Sequence, residues 1–109
     1  MKLEEKIFRH ICDREAGLNA YPIESGFSRI STRSGLIDQT GSDFKSVTEA
    51  LEILRSKHLI RKTIERYTDK TGRDALRKGF VLTGIGRNSE YYQKTLRQEI
   101  KHWTEGGQV

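Results

Sequence analysis

LIDQTGSDFKSVTEALEILRSKHLIRK, the stretch from Leu36 to Lys62, joins an apolar helix start, a glycine turn, a capped amphipathic helix and a Leu-Ile pair that enters a basic strand. Val47, Ala50, Leu51 and Leu54 recur at i, i+3, i+4 and i+7, which places all four on one stripe of a helix and leaves the opposite face open. Gly41 supplies the positive φ that a short turn needs, and Ser42 or Asp43 can accept from the free N–H groups of the next turn. The spacing therefore predicts a helix over 43–57.

Working upstream, Leu36 and Ile37 with the capping candidates Ser31 and Thr32 describe a helix of two turns, too short to stand without a neighbour to pack on. Working downstream, Ile60, Lys62, Ile64 and Arg66 alternate with Arg61, Thr63, Glu65 and Tyr67 as in a strand, and 78–83 supplies a return strand with Phe80 and Leu82 facing the core. Asp69, Lys70, Thr71 and Gly72 form a turn cluster, and the loop as far as Leu76 is expected to be too long for a tight hairpin. A helix over Leu3 to about Arg14, with Ile7 and Ile11 on one stripe and Phe8 and Cys12 beside it, precedes a connecting loop over 17–25 in which Tyr21 and Phe27 pin the chain, and a short strand over 27–30. A last helix over 88–105, capped by Asn88 or Ser89 and ended by Gly106, carries Tyr92, Leu96, Ile100 and Trp103 on a single stripe.

The segment aligns without a gap on the DNA-binding core of the MarR and PadR families of transcription regulators, which it resembles. Leu36 is similar to their leading Leu, Gly41 to the turn Gly, Val47 to the central Val, and Leu54 to the Leu before the "KKGLI" motif, which here reads Ser56, Lys57, His58, Leu59, Ile60. Leu82, Thr83 and Gly86 are similar to the "LTxxG" that closes the wing. His58 stands where those families place Gly, at the left-handed end of the recognition helix, and His is among the few other residues enriched in that conformation. The Asp-Arg-Arg run of their wing is replaced by Gly72, Arg73, Asp74, Ala75, Leu76, Arg77. The resemblance implies an α+β winged helix-turn-helix: a three-helix core, a β-hairpin wing over 60–83 and a C-terminal helix.

Charge sharpens the expectation. Of the formal +5, residues 61–78 hold seven basic residues against three acidic, a net +4, while 1–60 balance at nine against nine. A localised basic hairpin is what a phosphate-contacting element needs, although an edge strand can also carry charge merely to resist aggregation. With 34% apolar and 32% charged residues, the 109 residues suit one domain spanning 1–109. No apolar run is long enough for a membrane span, and 1–6 is charged from its second residue, so a cytoplasmic protein without a secretory signal is expected. Cys12, alone, reads as a small buried hydrophobe. The three histidines lack a metal-ligand spacing, no catalytic constellation can be assembled, and Gly84-Ile85-Gly86 lacks the third glycine of a nucleotide loop. Neither an enzyme, a metal site nor a cofactor is expected.

The expected function is sequence-specific binding of double-stranded DNA in transcription regulation. The recognition helix would offer Phe44, Lys45, Ser46, Thr48 and Glu49 to the major groove, and the wing Arg66, Lys70, Arg73, Arg77 and Lys78 to phosphates or the minor groove. Glu49 and Glu52 on the helix's open face fit a protein partner equally well, so a protein-interaction module is the alternative, with a replication or recombination accessory protein as a third. The stripe Tyr92, Leu96, Ile100, Trp103 either folds back on the first helix or forms a homodimer contact, as the family resemblance implies.

Overall fold

The computed structural model describes residues 1–20 and 28–106; residues 21–27 and 107–109, and the side chains of Trp103 and Glu105, lie outside that description. Tyr21, most of the expected connecting loop, Phe27 and the Trp103 side chain therefore fall outside it.

Helix α1 spans Leu3–Ala20 and buries Ile7, Ile11, Cys12, Glu15 and Ala16. It runs on past Arg14, the expected end. Gly17 costs a helix interior about 1 kcal/mol relative to Ala, but Glu15 and Ala16 are fully buried, and their packing holds the last turns helical. Helix α2, Arg33–Thr40, starts where Thr32 accepts from the Gly35 N–H and ends where Gly41 turns to φ 68°. Helix α3, Phe44–Ser56, follows at once, with Asp43 accepting from the Ser46 N–H at 2.7 Å. Val47, Ala50, Leu51 and Leu54 are all buried, as the stripe requires. Past Lys57 the chain turns at His58, whose φ of 59° is the left-handed conformation expected at this departure from glycine. The His58 carbonyl accepts from the Thr83 hydroxyl.

Strands β1 (Ile60–Thr68) and β2 (Asp74–Leu82) pair antiparallel from Ile60↔Leu82 out to Thr68↔Asp74. The return strand thus begins four residues earlier than its apolar residues suggest, and the loop shrinks to 69–73. The cause is Asp69, whose carboxylate accepts from the Thr71 and Arg73 N–H groups and the Thr71 hydroxyl at 2.6–3.0 Å. That tight closure frees 74–77 to join the ladder. On the outer edge of β2, Ser31 exchanges two backbone hydrogen bonds with Phe80. Among the described residues, the expected strand over 27–30 is reduced to this bridge. Gly79 permits it, since a Cβ there would lie 2.0 Å from the Ile30 side chain.

The C-terminal segment divides in two. Helix α4, Gly84–Arg87, is capped by Thr83, and α5, Glu90–Gly106, begins at Ser89, whose hydroxyl accepts from the Tyr92 N–H. Gly86 sits so close to the Leu59 carbonyl that a Cβ would approach it to 2.2 Å, which fixes the wing's exit against its entry.

One core joins α1, α3, Leu36, the base of the hairpin (Ile60, Phe80, Leu82) and Tyr92 of α5. The architecture is α+β, helices packed about a two-stranded antiparallel hairpin, in an order compatible with a winged helix. Among the described residues no helix is long and apolar enough to cross a membrane.

Candidate nucleic-acid interface

Antiparallel pairing sorts the hairpin's side chains onto two faces, since residues directly opposite each other project to the same side. One face carries Lys62, Ile64, Arg66 and Thr68 opposite Phe80, Lys78, Leu76 and Asp74; the other carries Arg61, Thr63, Glu65 and Tyr67 opposite Val81, Gly79, Arg77 and Ala75.

The first face looks into a cleft of about 560 Å³ lined by Arg33, Lys62, Ile64, Lys78 and Phe80 together with Thr63 and Gly79. Three cations converge on it, and no carboxylate is among its lining residues. Arg33, the first residue of α2, lies over the Phe44 ring with its guanidinium carbon 5.0 Å from the centroid, a cation–π contact. That contact brings the start of α3 to the cleft's rim. Among the described residues, Arg33 Nε and Thr48 Oγ1 are buried polar atoms without a hydrogen-bond partner, a state that costs free energy. The N-termini of both α2 and α3 lie on this side, where helix dipoles favour negative charge.

The second face is largely engaged within the chain. Arg77 pairs with Glu65 at 3.5 Å and lies 4.5 Å above the Tyr67 ring, while the Ser28 hydroxyl donates to Glu65 at 3.0 Å. Arg77, expected on phosphates, is thus engaged within the chain and points away from the cleft. Arg66 and Lys78 are exposed on the cleft side; Lys70 and Arg73 are exposed at the tip. On α3, Phe44 is 60% exposed, Lys45 and Glu49 are exposed, and Ser46 and Thr48 are half-buried. Glu52 is paired with Arg55 at 3.0 Å, so part of the helix's acidity is neutralised along its own surface.

Arg33 and Lys62 are the residues that sequence reasoning missed. Lys62 stands in the alternation that places Ile60 and Phe80, so its facing was available. Arg33 carries no such signal, because only the fold brings the start of α2 against the hairpin.

Glu15 is fully buried and accepts from the Leu82 N–H at 2.6 Å and from Arg87 at 3.2 Å. Cys12 is also fully enclosed; burial first, then the nearby charges of Asp13 and Glu15, push its thiol up to about 12. A thiol so disfavoured as thiolate is a poor nucleophile. Among the described residues no group of His, Cys, Asp and Glu could hold a metal ion.

Helix α5 lies along α1. Tyr92 is buried in the chain's own core and accepts from Asn19 at 2.8 Å, and Tyr91 donates to Asp13 at 2.9 Å. Tyr92 is therefore not an exposed anchor for a second copy. Leu96 is half-buried against the same core, and Ile100 is 45% exposed.

Searches with protein-family models and among curated proteins return no match to the chain.

Proposed function

We propose that the chain is a winged-helix domain that binds double-stranded DNA sequence-specifically and regulates transcription. The observation that carries this is the acid-free cleft between α2 and the hairpin, where Arg33, Lys62 and Lys78 converge beside the start of α3. A phosphate backbone lying in it would meet the three cations. With a backbone seated there, Phe44, Lys45, Ser46, Thr48 and Glu49 of α3 enter the adjoining major groove, where Lys45 can donate to guanine and Glu49 can accept from cytosine N4. Phosphate contacts set the register and α3 supplies the sequence information.

Binding to a mixed-sequence duplex, measured by fluorescence anisotropy over a salt series, tests the proposal. Wild-type affinity should fall steeply with salt, and Arg33→Ala and Lys78→Ala should each reduce the log–log slope by about one. Wild-type protein that ignores duplex DNA at low salt would end the proposal.

Exposed Glu49 favours a second reading, a winged helix that docks on a basic protein surface; such a protein would show no salt-dependent affinity for duplex DNA. In either case a homodimer would join through Leu96 and Ile100 rather than Tyr92, and light scattering at high concentration decides whether it forms. A two-fold pair would place its recognition helices about 34 Å apart.

A further inference from the structure

The hairpin carries two exposed aliphatic side chains that its own fold does not use. Ile64 is 59% and Leu76 61% exposed. They sit diagonally across the two strands on the cleft-side face, interleaved with Lys62, Arg66 and Lys78. Those three cations stand apart from the ion pairs of Arg55, Arg77 and Arg87. The one acid on that face is Asp74, at its far end. The opposite face has Glu65 paired with Arg77 and Arg77 stacked on Tyr67, with Arg61 exposed at its base. The hairpin thus has one face of apolar residues set among cations and another on which Glu65 and Arg77 neutralise each other.

The tip is built differently. The Asp69 carboxylate accepts three hydrogen bonds at its centre, and the Asp69 N–H and Arg73 carbonyl close it at 2.9 Å. Lys70 and Arg73 flank a carboxylate committed to holding the turn. The Thr71 hydroxyl and then the Arg73 N–H hold its pKa below the usual carboxylate range, so it stays charged. Driven into a minor groove, the tip would carry that anion toward the phosphates on both walls.

A two-stranded ribbon is too wide to enter the minor groove of undistorted B-DNA, about 6 Å across, so on such a duplex either its tip inserts or its face spans the mouth. Lys62 and Arg66 lie four residues apart, about 13 Å along the strand, with Lys78 between them on the neighbouring strand. That spread covers several successive phosphates. Aliphatic groups between them would meet deoxyribose, the apolar part of the backbone.

We propose that the hairpin engages duplex DNA through its cleft-side face, with Ile64 and Leu76 against the sugars that border the minor groove and Lys62, Arg66 and Lys78 on the flanking phosphates, while the tip stays clear. The inference rests on the DNA-binding function proposed above and adds how the wing is used.

The test compares three double variants of the full chain, each checked by circular dichroism and urea midpoint, on a fluorescent mixed-sequence duplex. Ile64→Ser/Leu76→Ser should weaken binding by about tenfold or more with the salt slope unchanged, because apolar contact burial releases no counterions. Lys62→Ala/Arg66→Ala should lower the slope by about two. Lys70→Ala/Arg73→Ala should change neither affinity nor slope. Should the aliphatic variant fail to fold, the two cation pairs alone decide between face and tip. A slope lowered by the tip pair and not by the face pair overturns the inference and leaves DNA binding standing. Unchanged DNA affinity in the aliphatic variant, with an altered mass by light scattering, makes this face a protein contact and overturns it too. Absence of wild-type binding removes the underlying function itself.

Discussion

Glu15 offers the sharpest test of how this fold is held together. It stands on the buried stripe of α1 beside Ile11, Cys12 and Ala16, yet it is a carboxylate with no exposure at all. Its place is set by the outer edge of β2. Phe80 and Leu82, two residues apart, present their N–H groups to the same edge; the Ser31 carbonyl takes the first at 2.9 Å and the Glu15 carboxylate takes the second at 2.6 Å. Glu15 thus continues the ladder beyond the Ser31 bridge, and Arg87 shares its charge from a side chain that is 45% exposed. Glu15→Ala orphans the Leu82 N–H, frees Arg87 and leaves a void, at a cost of about 3–5 kcal/mol in total. Arg87→Ala removes only the solvent-screened partner and should cost about 1 kcal/mol or less. Glu15→Leu is the decisive variant, because it fills the space but still leaves the amide without an acceptor, for a loss of about 2 kcal/mol. Urea unfolding of the purified variants, followed by circular dichroism, measures each difference. A Glu15→Leu protein as stable as wild type would refute the claim that the carboxylate is there for the Leu82 amide, since buried ion pairs can often be replaced by apolar residues without loss.

Three further outcomes follow from local geometry. His58→Gly should be neutral or stabilising by up to about 1 kcal/mol, and His58→Val destabilising by about 1–2 kcal/mol, because a β-branched residue resists the φ of 59°; thermal melts resolve the two. Cys12 should react with a thiol reagent only as fast as the protein unfolds, so labelling in native buffer should be slow and labelling in urea immediate; its thiol, raised to about 12 by burial, also predicts stability that is complete below the unfolded thiol pKa of about 8.5 and declines as pH rises above it. Asp43 and Asp69 are both held below the ordinary carboxylate range, Asp43 by the Ser46 N–H and then its hydroxyl, Asp69 by the Thr71 hydroxyl and then the Arg73 N–H. Their contribution is therefore present above about pH 4 and lost as pH falls through the lowered folded values, so Asp43→Asn should flatten the acid limb of a stability-versus-pH curve.

Much of the helical core was legible because periodicity is a local signal. The stripe through Leu54, the caps Thr32 and Asp43, the turn at Gly41 and the inward Phe80 and Leu82 all depend on neighbours within a few residues, and each stands where the spacing puts it. What was not legible depends on distant contacts. Residues 17–20 read as loop until Glu15 and Ala16 are known to be buried, and 74–77 reads as loop until the Asp69 carboxylate is seen to close the turn. Tyr92 fits an exposed stripe as well as a buried one, and the choice is made by α1, whose Asn19 donates to its hydroxyl.

The candidate interface shows the same division in its charges. Residues 61–78 carry seven cations, a count that marks the hairpin but treats every cation alike. Pairing then separates them: Lys62, Arg66 and Lys78 to the cleft side, Arg61 and Arg77 to the other face, Lys70 and Arg73 to the tip around an acid. Arg77 is spent on Glu65 and Tyr67, whereas Arg33, which belongs to no basic run, joins the cleft through the packing of α2. Electrostatic attraction for a polyanion depends on cations that lie within a Debye length of it and are not already neutralised, about 8 Å at physiological salt. By that standard the effective surface is the convergence of Arg33, Lys62 and Lys78 with Arg66 beyond them. The sequence marks the element, but strand register decides which of its charges a partner can meet.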